Sequence, residues 1–205
     1  MRLPSPLHGR SAQANQTRNS NGLDQFFASL HGRENLSVLD LSGASQANIT
    51  FITNLGHRIY SEDVLTSIEE VFGFDAETQS NPVRLEMFLN HVLDFPDEHF
   101  DGALIWDALQ FLSSTAAQAM VDRLCRILRP NAYVLAFFNA DEKATSIPAF
   151  QYRISDTKTL LLTSRAAPAP AHFYNNRAIE KLFQNYASLK FFLTRANLRE
   201  VIAKR

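Results

Sequence analysis

The order of apolar and polar positions divides the chain into alternating short apolar runs and stretches with helical spacing. Leu23, Phe26, Phe27 and Leu30 share one helical face, and His31-Gly32 stops that helix. Ser37 to Leu41 is an apolar run suited to a buried strand. The next segment carries two signals. Ile49, Thr50, Ile52 and Thr53 are β-branched and favour a strand, whereas Ala44, Ala47, Phe51 and Leu55 lie on one helical face, with Gly56 as a stop. A helix is expected, because strand, loop, helix and strand leave the two strands parallel and buried; the second strand is HRIYSED, His57 to Asp63.

Helical spacing recurs at Leu65, Ile68, Glu69 and Phe72, and again at Leu85, Phe88, Leu89, Val92 and Leu93. Asn81-Pro82 opens the latter, with proline at the first helical position, so residues 82 to 93 are expected to be helix. FDGALIWD, Phe100 to Asp107, reads as a fully buried strand. Ser113 and Ser114 are cap residues for a helix with an apolar face at Ala117, Met120, Val121, Leu124 and Leu128. Arg129-Pro130-Asn131 ends it, and Tyr133 to Phe138 is the next buried strand. FQYRISD and TLLLTS form an expected hairpin around Asp156-Thr157-Lys158. AAPAPA is a stiff connector, Asn176 caps a helix carrying Ile179, Leu182 and Phe183, and Leu189 to Leu193 pairs with Leu198 to Ala203.

These elements make an α/β protein: a Rossmann-like, mostly parallel sheet with helices on both faces and an antiparallel C-terminal hairpin. Residues 1 to 22 are expected to be a disordered tail, and 23 to 205 a single domain. The hairpin and connector, 150 to 171, emerge where a central strand ends and are expected to cap the ligand crevice.

Composition narrows the function. The 205 residues are 45% hydrophobic and 20% charged, with a net charge of -1 and no dense Lys/Arg run, so the footprint of a nucleic-acid binder is missing. No apolar run reaches the roughly 20 residues that span a membrane, and the N-terminus lacks a secretory apolar core; a cytoplasmic protein is expected. The single Cys125 and six scattered histidines suggest no metal site. Asn15, Asn35 and Asn48 head Asn-x-Ser/Thr triplets that carry no meaning without a secretory signal.

The candidate chemistry lies at strand ends. Asp40 closes the first strand, and Glu62 and Asp63 close the second, at about the 20-residue spacing of a ribose-binding acid. The loop between reads Asp40-Leu41-Ser42-Gly43-Ala44-Ser45-Gln46. Together with FD-strand, helix, LRPNA and strand, this resembles the class I S-adenosylmethionine-dependent methyltransferases, whose loop reads DLGxGxG and whose later segment reads FDxVL…LRPGG. The resemblance covers about residues 36 to 140 and, more loosely, 172 to 205.

It implies S-adenosylmethionine as cofactor, no metal, and a cofactor site at Asp40, Ser42, Gly43, Ala44, Gln46, Glu62, Asp63, Trp106 and Asp107. Asp63 would take the ribose hydroxyls, Trp106 would stack on the purine, and Asp107 would face the cleft. Ser42, Ala44 and Gln46 stand where the family has glycine. The family's third strand and its adenine-binding acid fall near Leu89 and Asn90, neither of them acidic, with Asp94 the nearest carboxylate. For each residue a structural role stands beside the binding one: a strand-to-helix turn, solvated acids, core packing for Trp106, a helix cap for Asp107. His172 and Tyr174, after the connector, are either a base and a substrate contact over the cleft or ordinary packed residues. Two functions stay open: a methyltransferase acting on a small-molecule acceptor, and a non-catalytic methyltransferase-like scaffold or partner-binding protein. A dinucleotide oxidoreductase lacks its GxGxxG after the first strand.

Overall fold

A computed structural model of the protein describes residues 16–73, 76–141, 144, 146–167, 171–194 and 197–205. In chain order the elements are β1 (Gln16–Asn19), α1 (Asn21–Leu30), β2 (Ser37–Asp40), α2 (Gln46–Asn54), β3 (Arg58–Ser61), α3 (Val64–Phe72), α4 (Pro82–Val92), β4 (Phe100–Trp106), α5 (Ser114–Ile127), β5 (Leu128–Asn139), β6 (Ala149–Ile154), β7 (Thr159–Arg165), α6 (Asn176–Leu182), β8 (Ser188–Leu193) and β9 (Leu198–Lys204). One sheet of six strands has the order β3-β2-β4-β5-β9-β8. Its first four strands are parallel, and β9 and β8 are antiparallel additions.

The central strands are apolar throughout because both faces are covered. Val38, Leu104, Leu135, Phe137 and Ile202 pack under α1, α2 and a second sheet. Their neighbours Leu39, Ala103, Ile105, Val134, Ala136 and Ala203 pack against α3, α4, α5 and α6. The period of two sorts consecutive residues into two separate cores.

Local signals behave as expected at many ends. Asn81 accepts from Val83 and Arg84 N–H groups and Pro82 opens α4, so 82 to 92 is helix and β3 is the edge strand of the sheet. In contrast, α5 ends at Ile127 with Leu128 as its cap, before the expected Arg129-Pro130-Asn131, which lies inside β5 with Asn131 at φ 67°. The cap of α6 is Asn175, one residue earlier than expected.

The FD and LRPN segments hold each other. Asp101, 3% exposed, accepts from the Ser37 N–H at 2.9 Å and pairs with Arg129 at 2.6 Å and Arg33 at 3.1 Å. That acid ties the starts of β2 and β5 to β4.

Three expectations need correction. Gln16–Asn19, expected in a disordered tail, is a strand paired antiparallel with β7, and Ser20 caps α1; residues 1–15 lie outside the described residues. The buried face of α2 is Asn48 and Ile52; of the expected face Phe51 is half-buried against the core, whereas Ala44, Ala47 and Leu55 are exposed, because Asn48 is drawn inward by buried polar partners described below. The β6–β7 hairpin forms, but together with β1 it makes a three-stranded sheet lying along a face of the large sheet. Its alternate residues Tyr152, Ile154, Leu160 and Leu162 are apolar and buried against Trp106, Leu135 and Phe137. Only its base, at Phe150 and Arg165, meets the carboxyl ends of the strands; Thr157 at its tip shares a cavity with His57 before β3, at the opposite end. Residues 168–170 of the connector lie outside the described residues.

Candidate functional site

The carboxyl ends of β2, β3 and β4 bring Asp40, Ser42, Gly43, Glu62, Asp63, Trp106 and Asp107 together in one crevice, and the hairpin base closes on it. At its floor lies Asp40, fully buried. Its Oδ1 accepts from the Trp106 indole N–H at 2.7 Å, from the Ser42 hydroxyl at 2.9 Å and from the Ser42 N–H at 3.1 Å. Its Oδ2 accepts from the Asn48 amide at 2.6 Å. Burial pushes its pKa up while these hydrogen bonds pull it down.

Asn48 is the junction of the site. Its Nδ2 also donates to the Tyr152 carbonyl at 3.0 Å, and its Oδ1 accepts from the Ile154 N–H at 2.8 Å. One amide side chain therefore pairs with the edge of β6 as a neighbouring strand would. Trp106 is only 1% exposed and stacks on Tyr152, with centroids 4.8 Å apart and planes 5° apart. Its backbone sits at φ 58°, a costly conformation for a bulky side chain, held by the indole's bond to Asp40 and its packing. The purine-stacking role expected of Trp106 is corrected: its ring is already spent on Tyr152.

Above the floor, the loop closes on itself. The Gly43 N–H donates to the Glu62 carbonyl at 3.0 Å, and Ser42 bridges to Asp63. Gly43 has φ 88°, and a Cβ there would lie 2.9 Å from Asp63 Oδ2, so glycine is required twice over. Ala44 and Gln46 face outward, and Gln46 donates to Thr50 Oγ1 along its own helix at 3.1 Å. Glu62 is half-buried, and desolvation raises its pKa against the opposing charge of His91.

Asp63 has two partners. It caps α3 by accepting from the Thr66 N–H, and both its oxygens accept from Arg165 Nη1, at 3.1 and 3.2 Å. Arg165 Nη2 donates to Thr66 Oγ1 at 3.0 Å. The Asp63 and Arg165 side chains remain 36% and 25% exposed.

Asp107 lies on the other side of Trp106, 3% exposed. Its side chain caps no helix; it accepts from the Phe150 N–H at 3.3 Å and from the Tyr152 hydroxyl. Burial raises its pKa to about 7, and burial with this neighbouring acid pushes Tyr152 well above its ordinary range. Asn90, the residue expected near an adenine, instead lies on the outer side of α4 and accepts from Arg123 at 3.4 Å. His172 and Tyr174 sit behind this region: the His172 N–H donates to the Gln110 carbonyl, and the buried Tyr174 hydroxyl to the Leu112 carbonyl.

The residues that sequence reasoning missed are Asn48, Tyr152 and Arg165. Asn48 had one local signal, a polar residue four before the buried Ile52. Arg165 and Tyr152 act across more than 40 positions of sequence, and no local pattern marks them.

Neither a family model nor a curated protein matches the chain by sequence. Solved structures match it in fold. A putative O-methyltransferase from Nostoc punctiforme superposes at a TM-score of 0.50 with 14% identity, over 90% of this chain and 56% of that one. The magnesium protoporphyrin IX methyltransferase of Synechocystis, solved with bound S-adenosylmethionine, gives 0.49 with 16% identity over 89% of this chain and 76% of that one. A methyltransferase structure from Methanosarcina mazei gives 0.48 with 14% identity, over 87% and 96%. The protein has a class I methyltransferase-like fold.

Proposed function

We propose that this chain is a non-catalytic relative of the methyltransferases, a scaffold whose cofactor crevice is filled by its own side chains. The observation that carries this reading is the guanidinium of Arg165 on both oxygens of Asp63, where the ribose hydroxyls of S-adenosylmethionine would bind. The remaining recognition groups are spent as well. The Ser42 and Gly43 N–H groups bond to Asp40 and to the Glu62 carbonyl, and Trp106 lies on Tyr152. In this arrangement the residues do not fit the cofactor. Reaching Asp40 would break buried hydrogen bonds to a carboxylate, each worth roughly 1.5–3 kcal/mol.

A second reading has one observation in its favour. The Arg165–Asp63 pair is partly exposed, and such pairs contribute only about 0.2–1 kcal/mol. A ligand could displace it cheaply, which describes an enzyme held shut by its hairpin and acting on a small-molecule acceptor.

Titration calorimetry with S-adenosylhomocysteine separates the two. The scaffold reading expects no saturable binding to wild type or to Arg165→Ala. Binding to Arg165→Ala alone, lost again when Asp63→Ala is added, favours a crevice that Arg165 holds shut. Binding to wild type that weakens in Asp63→Ala overturns the scaffold reading outright.

A further inference from the structure

Beside Asp107, on the side away from Asp63, lies a cavity of about 240 Å³ between β1, the end of β5 and the base of β6. Asp107 and Tyr152 line it but Asp63 and Arg165 do not, so it adjoins the filled crevice on the far side of Asp107. Its polar lining includes Gln16 and Arg18 from β1, Asp107, Gln110 and Asn139; Pro148 and Phe150 supply an apolar wall. The volume holds about eight waters at roughly 30 Å³ each, which is room for a small organic molecule and more than an inorganic anion needs.

Two donors here have no hydrogen-bond partner among the described residues. Among the described residues Arg18 makes no hydrogen bond and no ion pair. The acids nearest its charge do not neutralise it through contact. Glu200 is fully buried and gives Oε2 to the Gly22 N–H at 2.6 Å and the Ser20 hydroxyl at 3.1 Å, and burial holds its pKa up. Asp107 is turned to Tyr152 and the Phe150 N–H and is likewise held up by burial. Gln110 is 2% exposed; its Oε1 accepts from the Asn139 N–H, while its Nε2 donates no hydrogen bond to a described residue. A half-buried guanidinium and an amide donor facing one cavity call for an acceptor, and the charge of Arg18 favours an anionic one.

We propose that this cavity binds a small organic carboxylate, its carboxylate on Arg18 and the Gln110 amide and its apolar body against Phe150 and Pro148. Arg18 suits the task because its planar fork matches a carboxylate. The site depends on β1, the strand that pairs with β7 and carries Gln16 and Arg18 to the cavity. The ligand needs neither Asp63 nor Arg165, on which the scaffold reading rests, so this inference goes beyond that reading and stands or falls separately.

The test uses benzoate, acetate and the neutral isostere benzamide, titrated into the full chain and followed by amide NMR. Benzoate is expected to bind saturably, moving the Phe150 and Asn139 backbone signals and the Gln110 side-chain signal. Arg18→Gln should weaken it by about tenfold or more, the scale of a charged hydrogen bond, and Arg18→Lys by less. Lys181→Gln, the same charge change on exposed α6, should leave it unaltered. Benzamide binding as tightly as benzoate, or equal loss in Lys181→Gln and Arg18→Gln, overturns the carboxylate assignment. Absence of saturable binding to wild type by both carboxylates overturns the site. Because the signal map is read on wild type, a poorly folded variant does not rescue the proposal.

Discussion

Asp40 and Asp63 both stand at the carboxyl ends of neighbouring parallel strands, yet the fold treats them differently. Asp40 is buried and accepts four hydrogen bonds from Trp106, Ser42 and Asn48. Asp63 is a third exposed and shares its charge between a helix cap and one arginine. The same position in a strand-loop-helix unit therefore yields a structural pin in one case and an exchangeable contact in the other. What decides is whether partners arrive from the core or from the surface. Asp40 meets an indole and an amide that must be satisfied where they lie, while Arg165 could equally bond to water.

The contrast breaks most visibly at Asn48. Asn48→Leu keeps the volume but leaves Asp40 Oδ2, the Tyr152 carbonyl and the Ile154 N–H without their partner. Loss of a partner from such a buried network costs roughly 3–5 kcal/mol, and urea unfolding should show it as a large drop in midpoint. A loss below 1 kcal/mol would mean that water reaches the junction and that Asp40 is no pin.

Asp107 gives the next effect, through pH. Its folded pKa of about 7 lies above the ordinary 3.8, so the folded state keeps a proton that the unfolded chain has released. Its contribution to stability is thus full below about pH 4, falls as pH rises toward 7 and is flat above. Each unit in that window costs at most about 1.4 kcal/mol. Asp107→Asn removes the slope, so its melting temperature should fall less than that of wild type between pH 5 and 7. Identical slopes in the two proteins would place the titration elsewhere, Glu200 and Glu62 being the other acids raised by burial.

Much of the frame was legible in the sequence, and little of the site's wiring. The apolar runs of β2, β4 and β5 announce strands covered on both faces, and Asn81-Pro82 announces α4 in place of a strand. FD and LRPN were readable as a pattern, and Asp101 on Arg129 and Arg33 supplies the physical reason for it. By contrast β1 is QTRN, with no apolar alternation; it is a strand because β7 offers it an edge. For α2, spacing favoured Ala44, Ala47, Phe51 and Leu55, but the Oδ2 of the buried Asp40 beneath the helix needs a donor, which outweighs a few methyl groups, and Asn48 turns inward. Arg165 follows the apolar TLLLTS as an ordinary charged strand end, and only the packing of the second sheet carries it to Asp63.

The smallest expected effect sharpens the contrast from the other side. Arg165→Gln should cost no more than about 1 kcal/mol, because the pair is partly exposed and Asp63 keeps its bond to the Thr66 N–H. The cost should shrink further in high salt, which screens an exposed pair while leaving Asp40's neighbours unaffected. The comparison is made with Asn48→Leu at low and high salt by urea unfolding. Salt sensitivity confined to Arg165→Gln supports an exchangeable surface contact at Asp63 and a buried pin at Asp40. A salt-independent loss of several kcal/mol in Arg165→Gln would show that the hairpin base is locked as firmly as Asp40. The shut-enzyme reading would then lose its one support, since a ligand could no longer displace that arginine cheaply.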